Sequence, residues 1–146
     1  LDQPEPMTLA QGTIKCPARL GRSQCLAEIS RTLREVVARH RPTVCAIEGL
    51  FYTQNVKTAL TMGEARGAAM AVLAEADIEI FEIASRKVKQ SIVGYGNAQK
   101  LAVAKMVQRM LALDELPATD AADALALALT YSLLNKRFAI GPTQKL

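Results

Sequence analysis

The stretch TVCAIEG, residues 43–49, is a short apolar run that closes on a carboxylate, Glu48. An uninterrupted series of Val, Cys, Ala and Ile suits a strand covered on both faces, the usual situation in a parallel sheet. Downstream, residues 56–75 have the length and composition of a long helix, and IEIFEIA, residues 78–84, is a second apolar strand. Strands alternating with helices predict an α/β domain with helices against a mainly parallel sheet.

On the N-terminal side, MTLAQGTIK (7–15) alternates enough for another strand, and CPARLGR after it reads as a loop. Ser23 is placed to cap a helix that runs through His40, because Leu26, Ile29, Leu33, Val36 and Val37 recur at helical spacing. On the C-terminal side, Asn97 is expected to cap a helix reaching about Leu113, and a last helix should run from Asp120 to about Leu134. Within the 56–75 helix, Ala59, Gly63, Gly67 and Ala71 form a stripe of small residues at every fourth position. Such a stripe invites close approach, either by the molecule's own sheet or by a helix of a second subunit.

With 146 residues, half of them hydrophobic, the chain is about one domain with a sizeable core. Its 18 Lys and Arg against 14 Asp and Glu give a net charge of +4, which permits a polyanionic partner without requiring one. Cys16, Cys25 and Cys45 show no paired spacing and His40 is the sole histidine, so neither a disulfide framework nor a zinc site is expected. A reducing compartment fits that pattern. No apolar run approaches the roughly 18 residues needed to cross a bilayer, and LDQPEPMTLA lacks the basic and apolar regions of a signal peptide. The expectation is a soluble, cytoplasmic protein with no membrane contact.

Charge distribution is more informative than net charge. Residues 83–113 contain no acid, while Arg86, Lys87, Lys89, Lys100, Lys105 and Arg109 are all basic. A solvated positive face is the ordinary explanation. This run also surrounds VGYGN (93–97), where glycines ahead of a predicted helix could expose amides to a phosphate. Nucleic-acid backbone would satisfy both features. The loop lacks the third glycine of a dinucleotide motif and the Gly-Lys-Ser/Thr of a P-loop.

In TDAADALALAL (119–129), Asp120 and Asp123 lie three apart at the start of an otherwise apolar helix. Alone they would be an N-cap and a partner for the helix dipole. Glu48 adds a third carboxylate at a strand's carboxyl end, where open α/β sheets bind ligands and where an unpaired charge is costly to bury. Three such groups can converge as hard oxygen ligands for Mg²⁺ or Mn²⁺. Beside a phosphate-binding surface, that chemistry is metal-assisted phosphodiester cleavage.

AIEGLF, NVKTALTMGEARGAA, SRKVKQSIVGYGNAQK and TDAADALALAL together strongly resemble the RuvC Holliday-junction resolvases, from about Leu9 to Leu134. The resemblance implies an RNase H-like fold of the retroviral integrase superfamily, with a mixed sheet flanked by helices. It implies a homodimer that acts on four-way DNA junctions, makes paired symmetric nicks with 5′-phosphate and 3′-hydroxyl ends, and partners a RuvAB branch-migration complex. It assigns Glu48, Asp120 and Asp123 to the metal site, with about two Mg²⁺ per subunit, and Lys89 and Lys100 to the scissile phosphate. Phe51 matches the aromatic residue at the junction centre, and neighbouring Tyr52 is expected to pack. Arg86, Lys87 and Lys105 join the DNA-binding surface; Ala59, Gly63, Gly67 and Ala71 become the dimer interface.

The family pattern begins with a strand carrying an Asp-x-Gly-like motif whose aspartate is the first metal ligand, and no position here receives it. Asp2 precedes a Pro-rich start. The expectation is therefore one RuvC-like nuclease domain over residues 1–146 without the family's first two strands, through truncation or omitted residues. A catalytically silent junction-binding protein is the alternative from another class. A purely structural α/β dimer would explain the small-residue stripe but not the acid-free basic run.

Overall fold

Two hydrogen bonds set the direction of the first strand pair. The Glu79 N–H donates to the Thr43 carbonyl at 3.3 Å and the Gly49 N–H to the Ile83 carbonyl at 2.9 Å, so both strands advance the same way. The computed structural model describes residues 5–49, 54–136 and 144–146. Over these the elements are α1 (Arg22–His40), β1 (Val44–Glu48), α2 (Val56–Glu75), β2 (Glu79–Ile83), α3 (Ser85–Ile92), α4 (Lys100–Met110), α5 (Thr119–Lys136) and β3 (Gln144–Lys145). The sheet order is β1-β2-β3. The parallel β1-α2-β2 crossover is the α/β architecture expected from residues 43–84.

The described residues divide into two compact units, one of residues 14–45, 54–80 and 145–146, the other of residues 5–13, 46–49, 81–136 and 144. In the first, α1 and α2 run parallel, tied by ion pairs Arg22–Glu64 and Arg34–Glu75. These exposed pairs fix register more than stability, at roughly 0.2–1 kcal/mol each. Val72, Leu73, Ile78 and Ile80 are buried there. Asn55 caps α2 by accepting from the Thr58 N–H at 3.1 Å. Helix α1 starts one residue before Ser23. Gln24 reaches back to accept the Gly21 N–H at 3.0 Å, so Gly21 is the N-cap and Ser23 lies inside the first turn.

The cysteine expectation is corrected here. Cys16 and Cys25 form a disulfide, because a turn closed by the Leu20 N–H on the Pro17 carbonyl folds the chain back until their Cα atoms are 5.5 Å apart. Cys45 lies outside it, and burial pushes its thiol pKa up.

The second unit carries the larger core: Ile83, Val88, Ile92, Ala98, Val103, Val107, Ala126 and Leu129. Val88 and Ile92 lie one turn apart on α3, as do Val103 and Val107 on α4. Three of the alanines of α5, Ala121, Ala122 and Ala126, are buried and let neighbouring helices approach closely, while Ala124 and Ala128 are exposed. Buried Thr130 donates its hydroxyl to the Ala126 carbonyl at 2.8 Å. Phe81 and Tyr131 stack with ring centroids 5.0 Å apart.

Two further local expectations fail, and one helix was not foreseen. Residues 7–15 form no strand: Met7 and Leu9 are largely exposed, and none of their backbone groups joins the three-stranded sheet. Alternation alone does not make a strand without a partner. Asn97 does not cap α4, which begins at Lys100 after Gln99, and Ala98 between them is buried in the core. Helix α3 was not anticipated, because its basic residues mask the Val88–Ile92 pair.

Candidate metal and nucleic-acid site

Glu48 ends β1, where the hydrogen bond from Gly49 to Ile83 holds the strand end, and its side chain is exposed. Asp120 is exposed in the first turn of α5, and Asp123 follows on the same side three residues later. Helix α4 packs on α5 through Val103, Val107 and Ala126. That packing brings Lys100, the first residue of α4, to Asp123, with Nζ 3.1 Å from Oδ2.

A lysine opening a helix faces the positive end of the helix dipole, an unfavourable placement by about 0.3–1 kcal/mol. Here three acids offset it. The hydrogen bond and charge of Asp123 hold the Lys100 ammonium above the usual lysine range, and the charges of Glu48 and Asp120 add to the shift. Of the three predicted carboxylates, Asp123 is the one seen to pair with this ammonium. Among the described residues, no three His, Cys, Asp or Glu side chains close on a common point as a metal cage would require. The donor set nevertheless fits a hard divalent cation: it is oxygen-only, it belongs to one compact unit, and its combined field already favours a positive charge.

The predicted basic surface gathers on two helices. Arg86, Lys87 and Lys89 lie on α3, with Arg86 exposed and both lysines half-buried, and Lys105 is exposed on α4. The VGYGN loop does not present a helix N-terminus. Val93 caps the end of α3 and Gly94, at φ 107°, takes the left-handed turn that stops it. Gly96 has a different function: a Cβ there would lie 2.7 Å from Arg86 Cγ, so the missing side chain makes room for the arginine stem.

In the other unit, Ala59, Gly63, Gly67 and Ala71 are all exposed along α2, flanked by Val56, Leu60 and Met62. A Cβ on Gly63 or Gly67 would meet nothing within 4 Å. The small-residue stripe does not pack on the chain's own sheet. Phe51 and Tyr52 lie outside the described residues. Sequence reasoning missed the Lys100–Asp123 pair; its signal was a lysine at a helix start with no acid in that first turn.

Residues 5–131 match the family of the crossover junction endodeoxyribonuclease RuvC. The chain belongs to the RuvC family. A RuvC of Heliobacterium modesticaldum is 43% identical over 122 residues, covering 83% of this chain and 75% of that protein. One from Janthinobacterium sp. is 46% identical over 125 residues, covering 85% and 68%. Among solved structures, Thermus thermophilus RuvC in complex with Holliday junction substrate superposes with a TM-score of 0.88 at 30% identity, over 96% of this chain and 84% of that one. A second Thermus thermophilus RuvC structure gives a TM-score of 0.82 at 29% identity, over 96% and 82%. The fold is the RNase H-like fold of the RuvC family, whose members are metal-dependent nucleases.

Proposed function

We propose that this chain is a nuclease subunit that resolves Holliday junctions by paired, metal-dependent phosphodiester hydrolysis in DNA recombination and repair. What supports the reading is membership of the RuvC family, together with the ion pair of Lys100 with Asp123, whose ammonium also feels the charges of Glu48 and Asp120. The three carboxylates would hold Mg²⁺, with Mn²⁺ as a substitute, at about two ions per subunit. The cation would supply Lewis acidity to the phosphate and a water of lowered pKa. Attack at phosphorus breaks the bond to the 3′ oxygen, leaving 3′-hydroxyl and 5′-phosphate ends. Lys89 and Lys100 stabilise the charge that builds on the phosphate oxygens.

Arg86, Lys87 and Lys105 bind backbone phosphates and position the duplex arms without reading sequence. Phe51 stacks on a base at the junction centre. Paired nicking needs two active sites, which a homodimer provides; the exposed stripe Ala59–Gly63–Gly67–Ala71 is where a second copy's helix can approach closely. The whole chain acts as one nuclease domain in the cytoplasm beside a RuvAB branch-migration complex. No described helix is long and apolar enough to cross a membrane.

The test is incubation of the protein with a synthetic four-way junction and Mg²⁺. Symmetric nicks support the reading, and binding without nicks replaces it with a silent junction-binding protein.

A further inference from the structure

Resting on that reading of the acidic site, we propose that Lys100 acts as an internal competitor for the cation: its ammonium and a divalent ion share the carboxylate of Asp123. The geometry comes from the helix pair. Lys100 is the first residue of α4, and the α4–α5 packing at Val103, Val107 and Ala126 puts its stem beside Asp123, with the 3.1 Å ion pair as result. Both partners reach water, with side-chain exposures of 67% and 37%, so the pair can open without disturbing the core. An exposed pair of this kind is weak. A divalent ion carries twice the charge and can coordinate several oxygens at once, so it wins Asp123 at sufficient concentration.

The consequence couples two steps that are usually treated separately. While Lys100 holds Asp123, that carboxylate is not free to take a metal. When the cation takes Asp123, the lysine is released on the same helix end with its charge intact. The neighbouring charge it can then neutralise is a phosphate. Cation loading and the delivery of Lys100 to phosphate thus become one event, and loading occurs against a built-in positive charge.

The experiment measures Mn²⁺ binding to the full chain without DNA, by titration calorimetry with electron paramagnetic resonance of unbound Mn²⁺, at a pH where lysine is charged. Lys100→Met should bind Mn²⁺ roughly three- to tenfold more tightly than the unaltered protein, the gain expected from removing one nearby positive charge in a largely solvated site. Lys100→Arg should restore the original affinity. Arg109→Met removes a charge at the other end of α4 and should leave affinity unchanged. Unchanged or weaker Mn²⁺ binding by folded Lys100→Met overturns the competition, as does an equal gain in Arg109→Met. Asp123→Asn distinguishes the two levels of the proposal. If it weakens Mn²⁺ binding while Lys100→Met does not strengthen it, only the competition is wrong; if it has no effect, the acidic site and the competition fall together.

Discussion

The side chain of Arg86 passes so close to Gly96 that a Cβ on the glycine would stand 2.7 Å from Arg86 Cγ and 2.8 Å from Nε. Gly96 therefore sets where an exposed basic side chain of α3 can lie. Gly96→Ala should displace the arginine and weaken junction binding several-fold, by about 1 kcal/mol, the order of one charge-assisted contact. In an Arg86→Ala background the same glycine change should add little. A double-mutant cycle on junction affinity checks this, and additive losses would show that Gly96 acts on something other than Arg86.

Gly94 makes a contrasting case two residues earlier. Its φ of 107° disfavours any side chain, although open space surrounds the position. Gly94→Ala should lower stability by roughly 1 kcal/mol or more through strain alone. Thermal unfolding would reveal it, and an unchanged melting temperature would mean that the turn at the end of α3 relaxes.

The stripe on α2 gives opposite signs for folding and association. Gly67→Ala meets nothing within 4 Å, so it should stabilise the helix by up to about 1 kcal/mol. Gly67→Leu should instead weaken self-association at least tenfold if a second helix lies against the stripe. Sedimentation equilibrium on both variants separates the effects; a dimer indifferent to Leu at residue 67 would place the interface elsewhere.

Lys87→Ala should weaken binding and flatten the dependence of log affinity on log salt by roughly one unit, as the loss of one phosphate contact does. Lys89→Ala and Lys100→Ala should depress cleavage more than affinity. Uniform behaviour of all three would erase the distinction between positioning and chemistry.

The Lys100 pKa is raised by Asp123 first, with Glu48 and Asp120 contributing. The folded value lies above the unfolded one, so the ion pair's contribution to stability is complete below the unfolded lysine pKa. It is lost as pH climbs through the higher folded value. Nuclear magnetic resonance of the lysine side chain should therefore show Lys100 titrating above the ordinary lysine range, and Asp123→Asn should bring it back toward that range.

The elements legible in the sequence were those whose packing repeats their own pattern. The β1–α2–β2 crossover followed from two apolar runs around a long helix, and the bounds of α2 agree at both ends, with Asn55 as its cap. Helix α5 was legible because a long uninterrupted run of alanine and leucine, good helix formers, follows the two aspartates. Residues 7–15 misled because a strand exists only through its neighbour, which local alternation cannot supply. At VGYGN the glycines end one helix instead of opening the next, and backbone φ decides that question. In the site, the three carboxylates could be named from their positions on a strand end and a helix turn. The ion pair of Asp123 with Lys100 depends on the packing of α4 against α5, a tertiary fact that spacing does not encode.

Everything proposed about chemistry depends on the two aspartates of α5. Asp120→Asn and Asp123→Asn preserve size and helix position while removing the charge a divalent cation requires. With Mg²⁺ and a synthetic four-way junction, each should cut at least a thousandfold more slowly than the unaltered chain, while binding the junction as tightly or more tightly, since a carboxylate no longer repels phosphate. Cleavage close to the unaltered rate in either variant would remove that aspartate from the site and contradict the account.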